Sequence, residues 1–337
     1  MKFQKSNFHK STHNSGHLKV SPFDCNHANY ECNEPLGIEV LHASIKNEFE
    51  HRIETEMLSV IKSMNIHING FCNYRCGFCF AGNLVHNTMT PSQWKPIFHD
   101  LKKWGINKIN FAGGEPTMHP QFIELCGLAK SMNFTVSVVT NSSKIDHELI
   151  QKMKGVVDWI GLSVDSPDNE VEKAVGRQCA GINHIENVIK VADLAHETGI
   201  KVKLNITVIC QSWKQNFSDL IRRVDPERVK AFQVLRIEGT NEDKYDEYSI
   251  TEEEWKHFTN NHEDIILQNG EKIVFEGCDD MIDSYFMLDP MGRIMRNSGN
   301  TFSDQPYSDL ISGGIESIVS PKKYHERGAV YEWGVQQ

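Results

Sequence analysis

Short runs of β-branched and other apolar residues alternate with longer amphipathic stretches from about residue 63 onward. The runs have the length of buried strands, and the stretches between them have the apolar spacing of helices. The pattern predicts strands at 63–69, 108–112, 135–140, 158–164, 202–209 and 229–235. It also predicts one helix in each gap, at 91–104, 119–132, 146–154, 182–198 and 215–224.

The first predicted helix has signals at both ends. Thr90 suits the N-cap, Pro91 suits the first helical position, and Gln93 completes a capping box. Gly105 stands where a residue that ends a helix is expected. These signals support a helix at 91–104 independently of its apolar spacing.

Regular alternation of strands and helices indicates right-handed βαβ crossovers and a parallel sheet, either open or curled into a partial barrel. The alternation stops after Gly239. Beyond it, a capping box formed by Thr251 and Glu254 predicts a helix to about residue 262. Strands or a hairpin are predicted at 273–277 and 285–296, with the turn at 289–292.

These patterns divide the chain into three parts. Residues 1–55 are expected to form a polar arm, because their first twenty residues carry no acid and no apolar periodicity. Residues 56–240 hold the α/β core. Residues 241–337 are expected to be an extension that caps one end of that core.

Charge and hydropathy exclude several classes of function. The 337 residues include 35 Lys and Arg against 45 Asp and Glu, a net charge of −10. An acidic chain is a poor match for a nucleic acid polymer, although a few lysines in one pocket can still bind a small anion. No apolar run is long enough to span a membrane, and the polar N-terminus does not resemble a secretory signal. We therefore expect a cytoplasmic protein with no membrane partner and with reduced cysteines.

Three cysteines lie close together directly after the first predicted strand. Cys72, Cys76 and Cys79 have the spacing C-x3-C-x2-C, which suits three irons of a [4Fe–4S] cluster and leaves the fourth iron for an external ligand. A structural zinc site requires a fourth ligand, for which His86 is the nearest candidate. A second cluster is not expected, because no C-x2-C pair occurs among the remaining cysteines at 25, 32, 126, 179, 210 and 278.

The C-x3-C-x2-C spacing is the hallmark of the radical S-adenosylmethionine (SAM) enzymes, and Gly113-Gly114-Glu115-Pro116 after the second strand resembles their GGEP motif. The stretch C-N-Y-R-C-G-F-C-F and the segment I-N-K-I-N-F-A-G-G-E-P at 106–116 are very similar to the viperin-like branch of this family. The resemblance covers roughly residues 60–333. It implies a [4Fe–4S] cluster, S-adenosylmethionine, and a partial (β/α)6 barrel with a C-terminal capping extension.

The resemblance also implies a reaction and two partners. Viperin-like enzymes convert a ribonucleoside triphosphate to its 3′-deoxy-3′,4′-didehydro form, an antiviral chain terminator, by means of a 5′-deoxyadenosyl radical. Such an enzyme needs an electron donor of the flavodoxin or ferredoxin type. Two alternatives stay open: a radical SAM enzyme that acts on a peptide or another small molecule, and a non-catalytic iron–sulfur or zinc-binding module.

Site residues follow from the same resemblance. It places S-adenosylmethionine against Gly113, Gly114, Glu115, Asn141 and Ser163. It places the nucleotide against Asn65, Lys108, Asn110, Arg177, Lys203, Asn205, Lys230, Glu276 and Tyr285. Independently of any family, lysines within apolar strands would be expensive to bury without an anionic partner. The sixteen histidines have no predicted role in the chemistry and are interpreted as surface, core or supporting residues.

Overall fold

Six parallel strands, neighbouring in chain order, form the centre of the sheet. The computed structural model describes residues 61–297, 303–305 and 318–331. The central strands are β1 (Ser63–His67), β2 (Lys108–Ala112), β3 (Thr135–Thr140), β4 (Trp159–Ser163), β5 (Lys201–Val208) and β6 (Arg228–Gln233). All six coincide with predicted strands to within three residues at either end.

Helices fill each gap after the first loop. They are α1 (Pro91–Lys103), α2 (Phe122–Ser131), α3 (His147–Met153), α4 (Asn169–Ala174), α5 (His184–Thr198) and α6 (Ser218–Val224). The capping box of α1 is confirmed, since Thr90 and Gln93 each accept a hydrogen bond from the other's backbone N–H. The short helix α4 was not predicted, and α2 starts later than predicted because Pro116–Met118 forms a separate 3₁₀ turn.

Elements after residue 240 extend both edges of the same sheet. They are α7 (Tyr245–Tyr248), α8 (Glu252–His262), β7 (Val274–Glu276), α9 (Cys278–Met281), β8 (Met287–Leu288), β9 (Ile294–Arg296), β10 (Ser303–Gln305) and α10 (Pro321–Glu326). The strand β7 pairs with β6, and β8 pairs with β1, both in parallel. The predicted helix to residue 262, the strand at 273–277 and the hairpin, here β8–β9, are confirmed.

The strand order is β10-β9-β8-β1-β2-β3-β4-β5-β6-β7, and within the described residues the two end strands do not pair with each other. The predicted α/β fold with an open partial barrel is therefore confirmed. The predicted arm at 1–55 lies outside the described residues. Across the described part of the chain, no helix combines the length and apolar character needed to cross a membrane.

Two-residue alternation along the strands separates the core from the barrel interior. In β5, Val202, Leu204 and Ile206 are buried against the helices and join the main hydrophobic core. The residues between them, Lys203, Asn205 and Thr207, line a cavity on the opposite face of the strand. Because successive side chains of a strand point to opposite faces, one strand can supply both the core and a polar interior.

The C-terminal helix α10 is attached to the first strand through one buried hydroxyl. Tyr324 accepts hydrogen bonds from the backbone N–H groups of Ser63 (2.9 Å) and Lys62 (3.2 Å), and it also bonds the Ser63 hydroxyl (2.7 Å). Its side chain is fully buried. This contact ties a segment more than 250 residues away in the chain to the start of the barrel.

Tyr324→Phe should lower the free energy of unfolding by about 1–3 kcal/mol, because two backbone donors lose their acceptor in a buried position. Urea unfolding followed by circular dichroism measures the change, and the denaturant slope should stay constant. A loss smaller than about 0.5 kcal/mol would show that water replaces the hydroxyl without penalty.

Candidate active site

The three clustered cysteines lie on one wall of a cavity of about 350 Å³ inside the barrel. Their loop follows β1, so they stand at the carboxyl ends of the strands, where α/β folds place their sites. Cys72, Cys76 and Cys79 all contribute to this wall. The spacing in the sequence therefore corresponds to a shared surface in the structure.

Backbone hydrogen bonds fix the cysteine loop to two neighbouring loops. The carbonyls of Asn69 and Phe71 accept from Gly114 N–H (2.8 Å) and Glu115 N–H (2.6 Å). On the other side, Arg75 N–H and Gly77 N–H donate to carbonyls of the segment after α4, each at 3.0 Å. The loop is thus held on both sides by backbone hydrogen bonds.

Both glycines of the GGEP motif are required by this loop contact. A Cβ on Gly113 would lie 2.5 Å from the Asn69 carbonyl oxygen, and one on Gly114 would lie 2.3 Å from that of Phe71. These distances are far inside van der Waals contact. The glycines therefore allow the backbone of the motif to reach the cysteine loop, whatever ligand they also approach.

Glu115 is buried and its carboxylate is already bonded by the protein. One oxygen accepts from the backbone and hydroxyl of Thr117 and from the hydroxyl of Thr140, and the other accepts from Asn141 N–H (2.7 Å). Burial raises the pKa of Glu115 in spite of these donors. The carboxylate thereby joins the ends of β2 and β3, and a direct contact with the cofactor's amino group stays a prediction.

Two further predicted cofactor residues stand next to the cysteines. The Asn141 amide donates to Asn73 (3.0 Å) and lies 3.8 Å from the Cys72 sulfur. Ser163, at the end of β4, lines the cavity, and its carbonyl contacts the His184 ring at 2.9 Å. The structure thus brings together Gly113, Gly114, Glu115, Asn141 and Ser163 around the cysteine end of the cavity.

Burial raises the pKa of the Cys72, Cys76 and Cys79 thiols. Thiolates at these positions need a nearby positive charge, which bound iron supplies. Three thiols on a buried wall, with adjoining space for a further ligand, fit an iron–sulfur cluster with one open iron. Among the described residues, no three His, Cys, Asp or Glu side chains converge as closely as a single metal ion requires.

Arg177 lines the cavity apart from the lysines, and its predicted contact with the phosphates stays a prediction. Its guanidinium forms a buried ion pair with Asp165 and lies 3.6 Å from Glu172. It also lies beside the cysteine loop, 5.9 Å from the centre of the Phe78 ring. Arg177 therefore belongs to the cysteine end of the cavity, where its charge favours the thiolate form of Cys76.

Three lysines occupy the opposite end of the cavity. Lys108 is the first residue of β2, and Lys203 and Lys230 lie near the starts of β5 and β6. All three line the cavity, and the side-chain nitrogens of Lys108 and Lys203 lie within hydrogen-bonding reach of each other. Lys108 also donates to the Tyr331 hydroxyl. At this separation each ammonium group disfavours the charged form of the other, and a nearby anion would offset the repulsion.

Burial and mutual repulsion depress the basicity of this group. They lower the pKa of Lys203 to about 7 and that of Lys230 to about 8, and they hold the pKa of Lys108 well below its ordinary value. Removal from water is the larger cause for each lysine, and neighbouring cations add to it. A polyanion at this end would restore the charged forms.

Glu276 lies behind the cavity wall, and its predicted contact with the nucleotide stays a prediction. Its carboxylate is fully buried and pairs with Lys230 and with the Tyr285 hydroxyl, and these two partners line the cavity. Arg327 stacks on the Tyr285 ring at 3.8 Å and lies 3.9 Å from the same carboxylate. Glu276 is thus a positioning residue for the residues that face the cavity.

The predicted amides lie between the two ends. The side-chain amide of Asn110 donates to the side-chain oxygen of Asn65 on the neighbouring strand (3.0 Å). The side-chain oxygen of Asn110 has no hydrogen-bond partner among the described residues. Asn205 lies against Gly161, where a Cβ would come within 3.0 Å of its amide nitrogen. The cavity therefore runs from cations through amides to thiols.

Among the cavity residues not predicted from the sequence are His67, Arg327 and Tyr331. Arg228 was not predicted either. It lies behind the cavity wall, and its guanidinium carbon stacks 3.9 Å from the centre of the Tyr331 ring. Its two-residue spacing from Lys230 in β6 is a signal that could have found it. Arg327 and Tyr331 belong to a tail without periodicity, and nothing local predicts that they reach the barrel.

Known proteins resemble this chain over the same regions. The pattern of the Radical SAM superfamily matches residues 66–224. The chain is 46% identical over 280 residues to the S-adenosylmethionine-dependent nucleotide dehydratase of Thermoplasmatales archaeon (strain ISO4-H5). This alignment covers 83% of this chain and 99% of the relative. This chain belongs to the family of S-adenosylmethionine-dependent nucleotide dehydratases. Another relative, from Flammeovirga pacifica, carries the same name and is 31% identical, with 82% of this chain and 97% of the relative covered.

More distant similarity supports the fold of this nucleotide dehydratase family member. The S-adenosylmethionine-dependent nucleotide dehydratase RSAD2 of Siniperca chuatsi is 26% identical over 80% of this chain and 79% of the relative. The crystal structure of Streptococcus suis SuiB bound to S-adenosylmethionine aligns with a TM-score of 0.61 at 17% identity, covering 85% of this chain and 73% of SuiB. At that identity the likeness to SuiB concerns the fold alone.

Gly114→Ala should reduce the iron bound per chain after anaerobic reconstitution, because the new methyl group must push the cysteine loop away from the GGEP backbone. Gly127→Ala is the matched control, since no atom lies within 4 Å of its added Cβ on the helix α2. Iron analysis and the visible absorbance of the cluster measure the effect. Equal iron content in the two variants would contradict the role assigned to Gly114.

Proposed function

We propose that this protein dehydrates a ribonucleoside triphosphate to its 3′-deoxy-3′,4′-didehydro analogue. The observation that carries the proposal is the polarity of one cavity, with buried cations at one end and three thiols at the other. The names of the relatives, which are S-adenosylmethionine-dependent nucleotide dehydratases, agree with this reading.

The cationic end suits the triphosphate. A triphosphate carries about four negative charges near neutral pH, and charge-assisted hydrogen bonds from ammonium groups bind phosphate oxygens strongly. Lys108, Lys203 and Lys230 face the cavity, and Arg327 adds a fourth cation to the same wall. With the phosphates bound there, the sugar is directed toward Asn65, Asn110 and Asn205 and, beyond them, toward the cysteines.

The cysteine end suits the cofactors. Cys72, Cys76 and Cys79 would hold a [4Fe–4S] cluster, and the wall formed by the GGEP loop, Asn141 and Ser163 would hold S-adenosylmethionine. When bound, these groups supply an electron and a 5′-deoxyadenosyl radical. The protein's own part is to orient the sugar and to exclude water from the space between the two ligands.

The segment after residue 240 completes the site in this proposal. Tyr285, Arg327 and Tyr331 come from it and line the cavity, which supports the division into a core at 56–240 and a covering segment at 241–337. A reductant protein of the flavodoxin or ferredoxin type would deliver electrons to the cluster.

The direct test is an anaerobic assay of the reconstituted protein with S-adenosylmethionine, dithionite and each ribonucleoside triphosphate in turn. At least one nucleotide should raise 5′-deoxyadenosine above the uncoupled level and give a product lighter by one water. Cys76→Ala should lose the cluster absorbance and both products. If no triphosphate raises 5′-deoxyadenosine, the enzyme acts on another substrate, such as a peptide, and the proposal is wrong.

Nucleotide binding should take up protons at pH 8. Because Lys203 and Lys230 have a pKa of about 7 and about 8, a large share of their side chains is neutral at this pH and becomes charged beside the phosphates. About one proton or more should be absorbed per nucleotide, and affinity should fall as the pH rises from 7 to 9. Calorimetry in two buffers of different ionisation enthalpy measures the uptake.

Lys203→Ala should weaken binding and reduce the proton uptake while the cluster absorbance stays normal. Lys201→Ala is the control, because Lys201 lies on the same strand but lines a separate small cavity. Proton uptake that is absent in the wild type, or equal in the two variants, would contradict the placement of the phosphates at the lysines.

A further inference from the structure

His67 is a buried side chain on the inner face of β1 that no predicted role explains. It is 1% exposed and lines the same cavity as Asn65, which precedes it by two residues on the same face. Its ring meets the Phe80 ring edge to face, with centroids 5.9 Å apart. Phe80 directly follows Cys79, so His67 stands between the amides and the cysteine loop.

Neither nitrogen of the His67 ring makes a well-formed hydrogen bond to a described residue, and the Gly113 backbone makes only a loose contact with the ring. The backbone of Gly113 and the carboxylate of Asp289 lie near enough to favour the charged ring, but burial outweighs both and lowers the pKa of His67 to about 4. The ring is therefore neutral near pH 7 and offers one donor and one acceptor. A buried polar group without a partner is costly, and most such groups in folded proteins are satisfied.

A second unpartnered atom lies one step deeper in the cavity. The side-chain oxygen of Asn110 also lacks a hydrogen-bond partner among the described residues, and Asn110 pairs in register with Asn65 on β1. Two residues along a strand span about 7 Å, so His67 and Asn110 are separated by about the width of a sugar ring. Both line the same cavity, as do the amides of Asn65 and Asn205.

The order of groups along the cavity indicates which part of the nucleotide would lie beside His67. Lys108 pairs in register with Ser63, four residues before His67, which is about 13 Å along the strand. With the phosphates at the lysines, the group that reaches His67 is the ribose. A ribose offers hydroxyls that both donate and accept, which matches a neutral imidazole and an amide carbonyl.

We propose that His67 is a substrate-positioning residue that hydrogen-bonds a ribose hydroxyl of the bound nucleotide. This inference rests on the proposed function and deepens it, because it names a contact that would hold the sugar between the lysines and the cysteine end. The ribose of S-adenosylmethionine offers the same chemistry, and the experiment separates the two sources.

The experiment compares wild type, His67→Phe and His67→Gln by calorimetry without reductant, so that no turnover occurs. Each protein, with its cluster reconstituted, is titrated with the preferred ribonucleoside triphosphate, with its 2′-deoxy and 3′-deoxy analogues, and separately with S-adenosylmethionine. His67→Phe keeps a similar ring volume without the nitrogens, and His67→Gln restores a donor and an acceptor. Melting temperature and cluster absorbance show whether each variant is folded.

His67→Phe should weaken the ribonucleotide about tenfold, and His67→Gln should recover most of that loss. For the deoxy analogue that lacks the contacted hydroxyl, wild type and His67→Phe should bind within about twofold of each other. S-adenosylmethionine affinity should stay unchanged. A purely structural role would weaken all nucleotides alike and would not distinguish Gln from Phe.

Equal losses for the ribonucleotide and both deoxy analogues would overturn the inference, and so would a loss confined to S-adenosylmethionine. Should His67→Phe fail to fold, His67→Leu, which also lacks a donor and an acceptor, replaces it in the same comparison with wild type and His67→Gln. Failure of the wild type to bind any ribonucleoside triphosphate would instead overturn the proposed function, and this inference with it.

Discussion

Burial of like charges at one end of the barrel is the constraint on which the site depends. Lys108, Lys203 and Lys230 lie on three strands of one parallel sheet and face a common space. Because the folded chain holds them away from water and near other cations, their pKa values are depressed. Such an arrangement is unfavourable in the free protein, and a polyanion converts it into a binding site.

The opposite end of the cavity depends on backbone contacts instead of charge. The cysteine loop is held by the GGEP segment and by the segment after α4, and Glu115 joins the ends of β2 and β3. Arg177, paired with Asp165 and Glu172, places a cation beside the thiols. Because both ends are fixed to the same sheet, the distance between the lysines and the cysteine end is set by strand length.

Much of this arrangement could be predicted from the sequence because it follows local periodicity. Alternation in V-K-L-N-I-T-V separates core from interior within one strand, and the spacing of Cys72, Cys76 and Cys79 indicates a shared ligand. The direction of Arg177 could not be predicted because it lies in a loop, where neither periodicity nor register determines where a side chain points. The burial of Glu276 could not be predicted because it depends on Lys230 and Tyr285, which reach it from other elements. His67 escaped notice because a lone histidine in a strand usually has a partner, and only the three-dimensional structure shows that this one makes no well-formed hydrogen bond to a described residue.

The central claim is that the phosphates lie at the lysines and the sugar faces the cysteine end. Turnover with a ribonucleoside triphosphate deuterated at the ribose 4′ position tests it most directly, with mass spectrometry of the 5′-deoxyadenosine produced. The account predicts that deuterium is transferred to 5′-deoxyadenosine from the 4′ position and not from a nucleotide deuterated on its base. Nucleotide-stimulated 5′-deoxyadenosine that carries no deuterium from the sugar would contradict it.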